Sequence, residues 1–368
     1  MKHIIHLFPA YKIGGAPVCI LRFIESTKNR FRHTTIASLE DKGFFEQFAN
    51  HTNGNSFDVD LTSFSIRSFC SVLKIIRKAK PQVVHVHGKG GALYGFLASL
   101  VLFKPFKLFH TFHGFYKCWN GYKWGAYLIF EKIFSFLYDK GIAVSESERN
   151  YYLESIGIRH DKVVMIPNGV YIRNELLPFD IFKSQSSCSF NIVTLSRISH
   201  QKDLVTMLES FDILRKQTSV ALHIFGGVLE SDITYQQEIL SLIQKLHLSG
   251  HVYLWGDVSS AGNLIHNYDL YWSTSKFEGL PTAVIEAFLS KTLVVGTDCR
   301  GNIDLIDDGV TGILTKIGSV ESNVSGIKKA IDLIARKQQY DILSNAFNKG
   351  LKYSMAKNVE NLSKLYHA

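Results

Sequence analysis

Cysteine is sparse in this chain. Five cysteines occur in 368 residues, Cys19, Cys70, Cys118, Cys188 and Cys299, each alone. There is no CxxC and no cysteine–histidine metal spacing, which excludes a disulfide framework and points to reduced thiols in a cytosolic protein. Long apolar runs are missing too. The longest uncharged run, GALYGFLASLVLF over 91–103, falls well short of the roughly 20 residues that a spanning helix needs. The opening MKHIIHLFPAYKIGG has an apolar run too short for the core of a signal peptide. The loop after the first apolar run reads KIGGAP, not GxGxxG, which counts against dinucleotide binding. What is left is a protein that is soluble or lies on a membrane surface.

Apolar residues make up 46% of the chain, enough for ordinary buried cores. The length suits two domains. Net charge is +9 and lies in the first half. Residues 1–175 hold 23 Lys/Arg against 13 Asp/Glu, and residues 176–368 hold 18 against 19. A basic half suits an anionic lipid surface, nucleic acid or a phosphorylated acceptor.

Short apolar runs alternate with helical spacing along the whole chain. Strands are expected at 3–8, 34–39, 83–87, 106–114, 141–145 and 163–169. Helices are expected near 16–27, 65–80 and 91–103, and after a capping box of Ser145 with Glu148. Residues 174–188 carry Pro and Ser with little periodicity and read as a linker. The alternation then restarts, with strands at 191–196, 221–226, 251–256, 270–274 and 292–297. Helices lie between them near 202–217, 234–247, 259–266 and 282–290. Such alternation means parallel sheets covered by helices, here twice: two Rossmann-like α/β domains. The expected boundaries are 1–173, the linker 174–188, 189–345, and a C-terminal helix over 346–368 packing back on the first domain. Ligands in such sheets bind outside the carboxyl ends of the strands, so a cleft between the domains is the expected site.

Four stretches hold candidate chemistry. SKFEGLPTAVIEAF places Glu278 in a loop at a strand's carboxyl end. Thr282 is expected to cap the next helix, with Glu286 in its second turn. Backbone N–H groups at that helix start favour phosphate or sugar oxygens, and carboxylates accept strong hydrogen bonds from sugar hydroxyls. LSRISHQKD places Arg197 and Lys202 on a strand–loop–helix junction, a natural diphosphate site. Gly14 and Gly15 permit close backbone approach of a ligand. FHTFHGF offers His113, with His110 as its rival. Asp58 and Asp60 spell DxD, a metal–diphosphate pattern of another fold, and chance accounts for it better.

These stretches resemble the family 4 glycosyltransferases, which have the GT-B fold of two Rossmann-like domains with parallel sheets facing a central cleft. Glu278-Gly279 and Glu286-Ala287 match that family's E-G-x-x-x-x-x-x-E-A pattern, and residues 294–314 look like its next strand and loop. Arg197 and Lys202 match G-R-x-x-x-x-K-G, with Ser196 and Asp203 in place of the glycines. The resemblance implies that Glu278 faces the donor sugar and Glu286 holds the nucleotide ribose. The loop at Gly279, Leu280 and Pro281 would meet sugar and diphosphate. It also implies that Gly14 and Gly15 lie near the donor phosphates and acceptor, that His113 is the active-site histidine near the donor sugar, and that Ser145 and Asn168 line the cleft. Ser145 and Asn168 also read as a helix cap and a turn.

The expected activity is a retaining, hexosyltransferase-type transfer from a nucleotide-sugar, a UDP-sugar favoured, to a glycan acceptor. Arg197 and Lys202 would neutralise the leaving diphosphate, so no metal and no other cofactor is expected. Residues 115–140 interleave Lys with Trp, Tyr and Phe. They suit either an anionic membrane interface or a core helix with an exposed basic face. The first option favours a polyprenyl-diphosphate-linked glycan in O-antigen or capsule synthesis, made by a cytoplasmic enzyme peripheral to the inner membrane, with no nucleic acid as partner. The alternatives are a nucleotide-sugar 2-epimerase-like enzyme of the same fold, or a non-catalytic sugar- or nucleic-acid-binding protein.

Overall fold

The computed structural model describes residues 1–114, 122–172, 188–258 and 261–368, with the backbone alone for Tyr122, Lys123 and Tyr127. Two compact units form, Met1–Val170 with Ser354–Ala368, and Tyr171–Tyr353. Most of the expected linker, 174–187, lies outside the described residues, as do 115–121 with Lys117.

The first unit holds a seven-stranded parallel sheet. Its strands are β1 (Lys2–Tyr11), β2 (Phe31–Leu39), β3 (Ser56–Asp58), β4 (Val83–His87), β5 (Lys107–Thr111), β6 (Lys140–Ala143) and β7 (Val163–Met165). Their spatial order is β3-β2-β1-β4-β5-β6-β7. Strands buried on both faces read as unbroken apolar runs, which is why Ile4, Ile5, Val84 and Leu108 are all buried. The helix Ile66–Ala79 shows how local rules set an element. The Ser65 side chain accepts from Ser68 N–H at 3.1 Å, and the helix stops at Lys80 in the left-handed region, φ 46°, before Pro81. Its buried Val72, Leu73 and Ile76 repeat at helical spacing, each worth about 1.5–3 kcal/mol of apolar burial.

The second unit holds six parallel strands: β8 (Phe190–Leu195), β9 (Val220–Phe225), β10 (Val252–Gly256), β11 (Leu270–Ser273), β12 (Leu293–Thr297) and β13 (Ile313–Thr315). Their order is β10-β9-β8-β11-β12-β13. Trp272, Phe211 and Phe288 are fully buried in this unit. In each sheet the order reverses once, between β1 and β4 and between β8 and β11, and a doubly wound sheet presents its ligand crevice there.

The expected pattern needs several corrections. The helix Lys42–His51 and the edge strand β3 are not predicted from sequence, because only Phe44 and Phe48 of that helix are buried and β3 has three residues. β5 ends at Thr111, and His113 then turns left-handed at φ 59°. β7 ends at Met165, before Pro167. The stretch near 259–266 forms a 3-10 turn, Ala261–Asn267. The expected last helix is two helices, Tyr340–Leu351 and Met355–His367. The first stays in the second unit, and the chain returns to the first unit at Ser354. Met355 N–H donates to the Val170 carbonyl at 2.8 Å. A Cβ on Gly169 would come within 2.8 Å of both Asn358 and Met355, so the glycine of IPNG is required by this close approach.

Candidate active site

In the second unit the loops after β8 and β11 flank the reversal point and are tied together. Lys276 N–H donates to the Gln201 carbonyl at 2.8 Å, and Thr274 Oγ1 donates to the Lys202 carbonyl at 2.8 Å. Lys202 Nζ lies 2.5 Å from Glu278 Oε1. Ser275 Oγ donates to the same oxygen at 2.7 Å, and Gln201 Nε2 reaches Oε2 at 3.4 Å. Glu278 is 9% exposed, and a carboxylate that buried needs such partners. Gly301, at φ 86°, passes so close that a Cβ there would meet Glu278 at 2.8 Å.

Asp203 stands where the family pattern has glycine, and it adopts the left-handed backbone itself, φ 52°. Asp tolerates that region better than most residues. Its carboxylate accepts from Thr206 Oγ1 at 2.8 Å and pairs with Lys276 Nζ at 3.1 Å. The departure from the pattern therefore keeps a glycine-like turn.

The helix after Glu278 runs Thr282–Leu289, and its N-cap is Pro281, not the expected Thr282. Pro281 sets an extended entry, φ −73° and ψ 99°, so Thr282 is already helical. Pro281 has no N–H to offer. The N–H groups of Gly279 and Leu280 donate to no group among the described residues. Glu286 is half-buried in the second turn. Its carboxylate lies against Gly262, where a Cβ would come within 2.5 Å of Oε2. Arg197 is half-buried, and its guanidinium makes no hydrogen bond or ion pair among the described residues. Backbone donors and an ammonium beside the buried Glu278 carboxylate, with Arg197 on the loop after β8, supply groups that bind anionic oxygens and sugar hydroxyls.

In the first unit, Gly14 caps the helix Gly15–Thr27, and Gly15 is exposed. An added Cβ on Gly15 meets nothing within 4 Å. No packing among the described residues therefore demands that glycine. His113 lines a small cavity with His6, His85, His87 and Asn168. Desolvation by burial pushes its imidazole pKa down to about 4. His110 instead packs edge-on against Phe96 and Phe112. The turn after His113 is held by Glu148, a fully buried carboxylate that accepts from Gly114 N–H at 2.5 Å and Val144 N–H at 2.7 Å. Ser145 Oγ accepts from Glu148 N–H at 3.3 Å. Ser145 is thus a buried helix cap, while the Glu148 carboxylate reaches past the expected capping box.

Asp58 and Asp60 are both used locally. Asp58 Oδ1 accepts from Leu39 N–H at 2.9 Å, and Asp60 Oδ1 accepts from Thr62 N–H at 2.9 Å and Thr62 Oγ1 at 2.6 Å. The sequence does not single out Gly262, Gly301, His6, His85 or His87, and it marks Glu148 only as half of a capping box. For the histidines a signal exists: VVHVH alternates two imidazoles with valines on a central strand.

Residues 13–173 match the family model "Glycosyltransferase Family 4", and residues 180–346 match "Glycosyl transferases group 1". The O-antigen biosynthesis glycosyltransferase WbnH of Escherichia coli is 25% identical over 248 residues, 67% of this chain and 65% of that one. The Escherichia coli UDP-Gal:alpha-D-GlcNAc-diphosphoundecaprenol alpha-1,3-galactosyltransferase is 21% identical over 321 residues, 82% of this chain and 79% of that one. Among solved structures, Anabaena Alr3699/HepE in complex with UDP and glucose superposes with a TM-score of 0.85 at 18% identity, covering 99% of each chain. With two parallel Rossmann-like sheets and a family match on each half, the chain is a glycosyltransferase of the GT-B fold, built from a family 4 domain followed by a group 1 domain.

Proposed function

We propose that this enzyme transfers a sugar from a UDP-sugar, with retention, to a glycan acceptor in surface-polysaccharide assembly. The observation that carries the donor reading is the Lys202–Glu278 pair beside the Gly279 and Leu280 amides, which have no acceptor among the described residues. In this reading Arg197 and Lys202 stabilise the leaving diphosphate, and the two amides bind its oxygens. Glu278 faces the sugar and Glu286 accepts from the ribose hydroxyls. His113 acts as the active-site histidine near the donor sugar, while Gly14, Gly15, Ser145 and Asn168 serve the donor phosphates and the acceptor side. The solved neighbour holding UDP and glucose supports the base, and the relatives named for O-antigen and diphosphoundecaprenol substrates support the acceptor class. The two cations supply the charge that a divalent ion would otherwise bring, so added Mg2+ or Mn2+ is expected to leave turnover unchanged.

A lipid-linked acceptor draws support from exposed apolar side chains of the first unit. Ile129, Ile133 and Phe136 are more than half exposed, and Phe103 is 93% exposed. Lys132 is exposed among them in sequence. Apolar side chains mixed with lysine suit the interface of an anionic membrane. No helix among the described residues is long and apolar enough to cross a membrane.

Titration calorimetry with UDP, GDP and ADP, followed by product analysis with a UDP-sugar and a lipid-diphosphate glycan, tests the reading. Binding of UDP with transfer to the glycan is expected. No heat with any nucleotide would end the donor assignment. Release of nucleotide and free sugar epimer from donor alone would favour the epimerase alternative. Cosedimentation with phosphatidylglycerol vesicles at low salt, lost at high salt, is expected for the membrane surface. Indifference to those vesicles would remove it.

A further inference from the structure

His6 lies in β1 directly opposite His85 of β4 in parallel register, and His87 follows two residues on. Side chains on a strand alternate faces, so the three imidazoles share one face of the sheet. All three are buried. One ring nitrogen from each lies within 4.8 Å of the others. His6 Nδ1 and His87 Nε2 are 3.3 Å apart. Two nitrogens on a tetrahedral zinc ion, each about 2.0–2.1 Å from it, are separated by about 3.3 Å.

The far side of each ring is also occupied. His6 Nε2 is 3.2 Å from His33 Nδ1, and His87 Nδ1 is 3.0 Å from His113 Nε2. His85 has a hydroxyl on either side, Tyr366 at 2.6 Å and Thr111 at 2.7 Å. Whichever nitrogen of His85 turned inward, the other would keep a partner. Metal-binding imidazoles are oriented by such outer contacts. A cavity of about 30 Å³ touches all three rings, which is room for one water as a fourth ligand. Burial keeps the three imidazole pKa values well below the ordinary range, so they stand in the neutral form a metal requires.

We propose that His6, His85 and His87 form a buried site for one divalent transition-metal ion, with Zn2+ the ion that a three-imidazole set and a water fit best. The ion staples β1 to β4 at the point where the strand order reverses. Through His85 and Tyr366 it also reaches the C-terminal helix. It takes no part in the sugar-transfer chemistry above, and the site stands or falls without that reading.

A competing arrangement is a chain of hydrogen-bonded rings with no ion. Thr27 Oγ1 donates to the Phe23 carbonyl, so it accepts from His33 Nε2. That fixes one donor direction along His33, His6, His87 and His113. The test uses protein made without a histidine tag and passed through gel filtration in chelator-free buffer, with elemental analysis by mass spectrometry. About one zinc per chain is expected, and Co2+ loaded in its place should show the visible bands of a tetrahedral site. His6→Gln and His87→Ala should lose the metal, while His200→Ala, exposed in the second unit, should keep it. Because substitutions in the buried core can prevent folding, the wild type decides. Wild-type protein that holds less than about a tenth of an equivalent after incubation with excess ZnCl2 and desalting overturns the site and leaves the hydrogen-bonded chain.

Discussion

Both units place polar side chains where their sheet order reverses, but they satisfy them by different physics. The first unit buries neutral rings: His6, His33, His85 and His87 are each 5% exposed or less, and they are linked to one another or to hydroxyls. The second unit buries opposite charges, Lys202 against Glu278. Neutral imidazoles can sit deep in a sheet because each offers one donor and one acceptor. A carboxylate must bring its counter-ion with it. The first unit should therefore be sensitive to protons, and the second to the loss of one partner.

Acid is expected to separate the two units most strongly. Burial holds His33 and His110 at pKa values of about 3, against an ordinary value of 6.5. The unfolded chain takes up those protons first as pH falls, so stability is retained above about pH 6.5 and lost between there and pH 3–4. Each such histidine costs about 1.4 kcal/mol per pH unit in that window. The second unit has one comparable group, His223, at about 4. Hydrogen exchange read unit by unit between pH 7 and 4.5 should show the first unit loosening first. Equal loss of protection in both would break the comparison.

Glu278→Ala probes the charged pair. Turnover should fall by roughly 100-fold, about 2.7 kcal/mol, while nucleotide affinity changes little. Wild-type kcat in this variant would remove Glu278 from the reaction. Gly301→Ala probes the loop behind it. The left-handed backbone and the contact with Glu278 should cost about 1–3 kcal/mol of stability, read by denaturant titration of the second unit. Glu286→Ala is the mildest change. UDP affinity should weaken by roughly tenfold, about 1.4 kcal/mol, with kcat kept, and calorimetry reads it directly.

Much of this was legible in the sequence for specific reasons. Glu278, Arg197 and Lys202 stand in strand–loop–helix junctions whose spacing can be read locally. Gly14 and Gly15 were legible as a turn. Pro281 was visible, but its role as N-cap in place of Thr282 depends on how the loop enters the helix. Glu148 was legible as half of a capping box, yet its carboxylate bonds Gly114, 34 residues away. No local pattern encodes that distance.

The sequence by itself determined the double α/β alternation, the basic first half and the placement of the candidate donor residues. Those follow from periodicity, charge and turn chemistry, which act over a few neighbouring residues. Only the tertiary structure decided that Ser354–Ala368 joins the first unit, that Asp203 replaces a glycine without losing its turn, and that His6 meets His85 and His87. Those meetings depend on strand register and on helix return between residues tens to hundreds of positions apart. Such contacts are set by the burial of whole faces, which no short stretch of chain can specify.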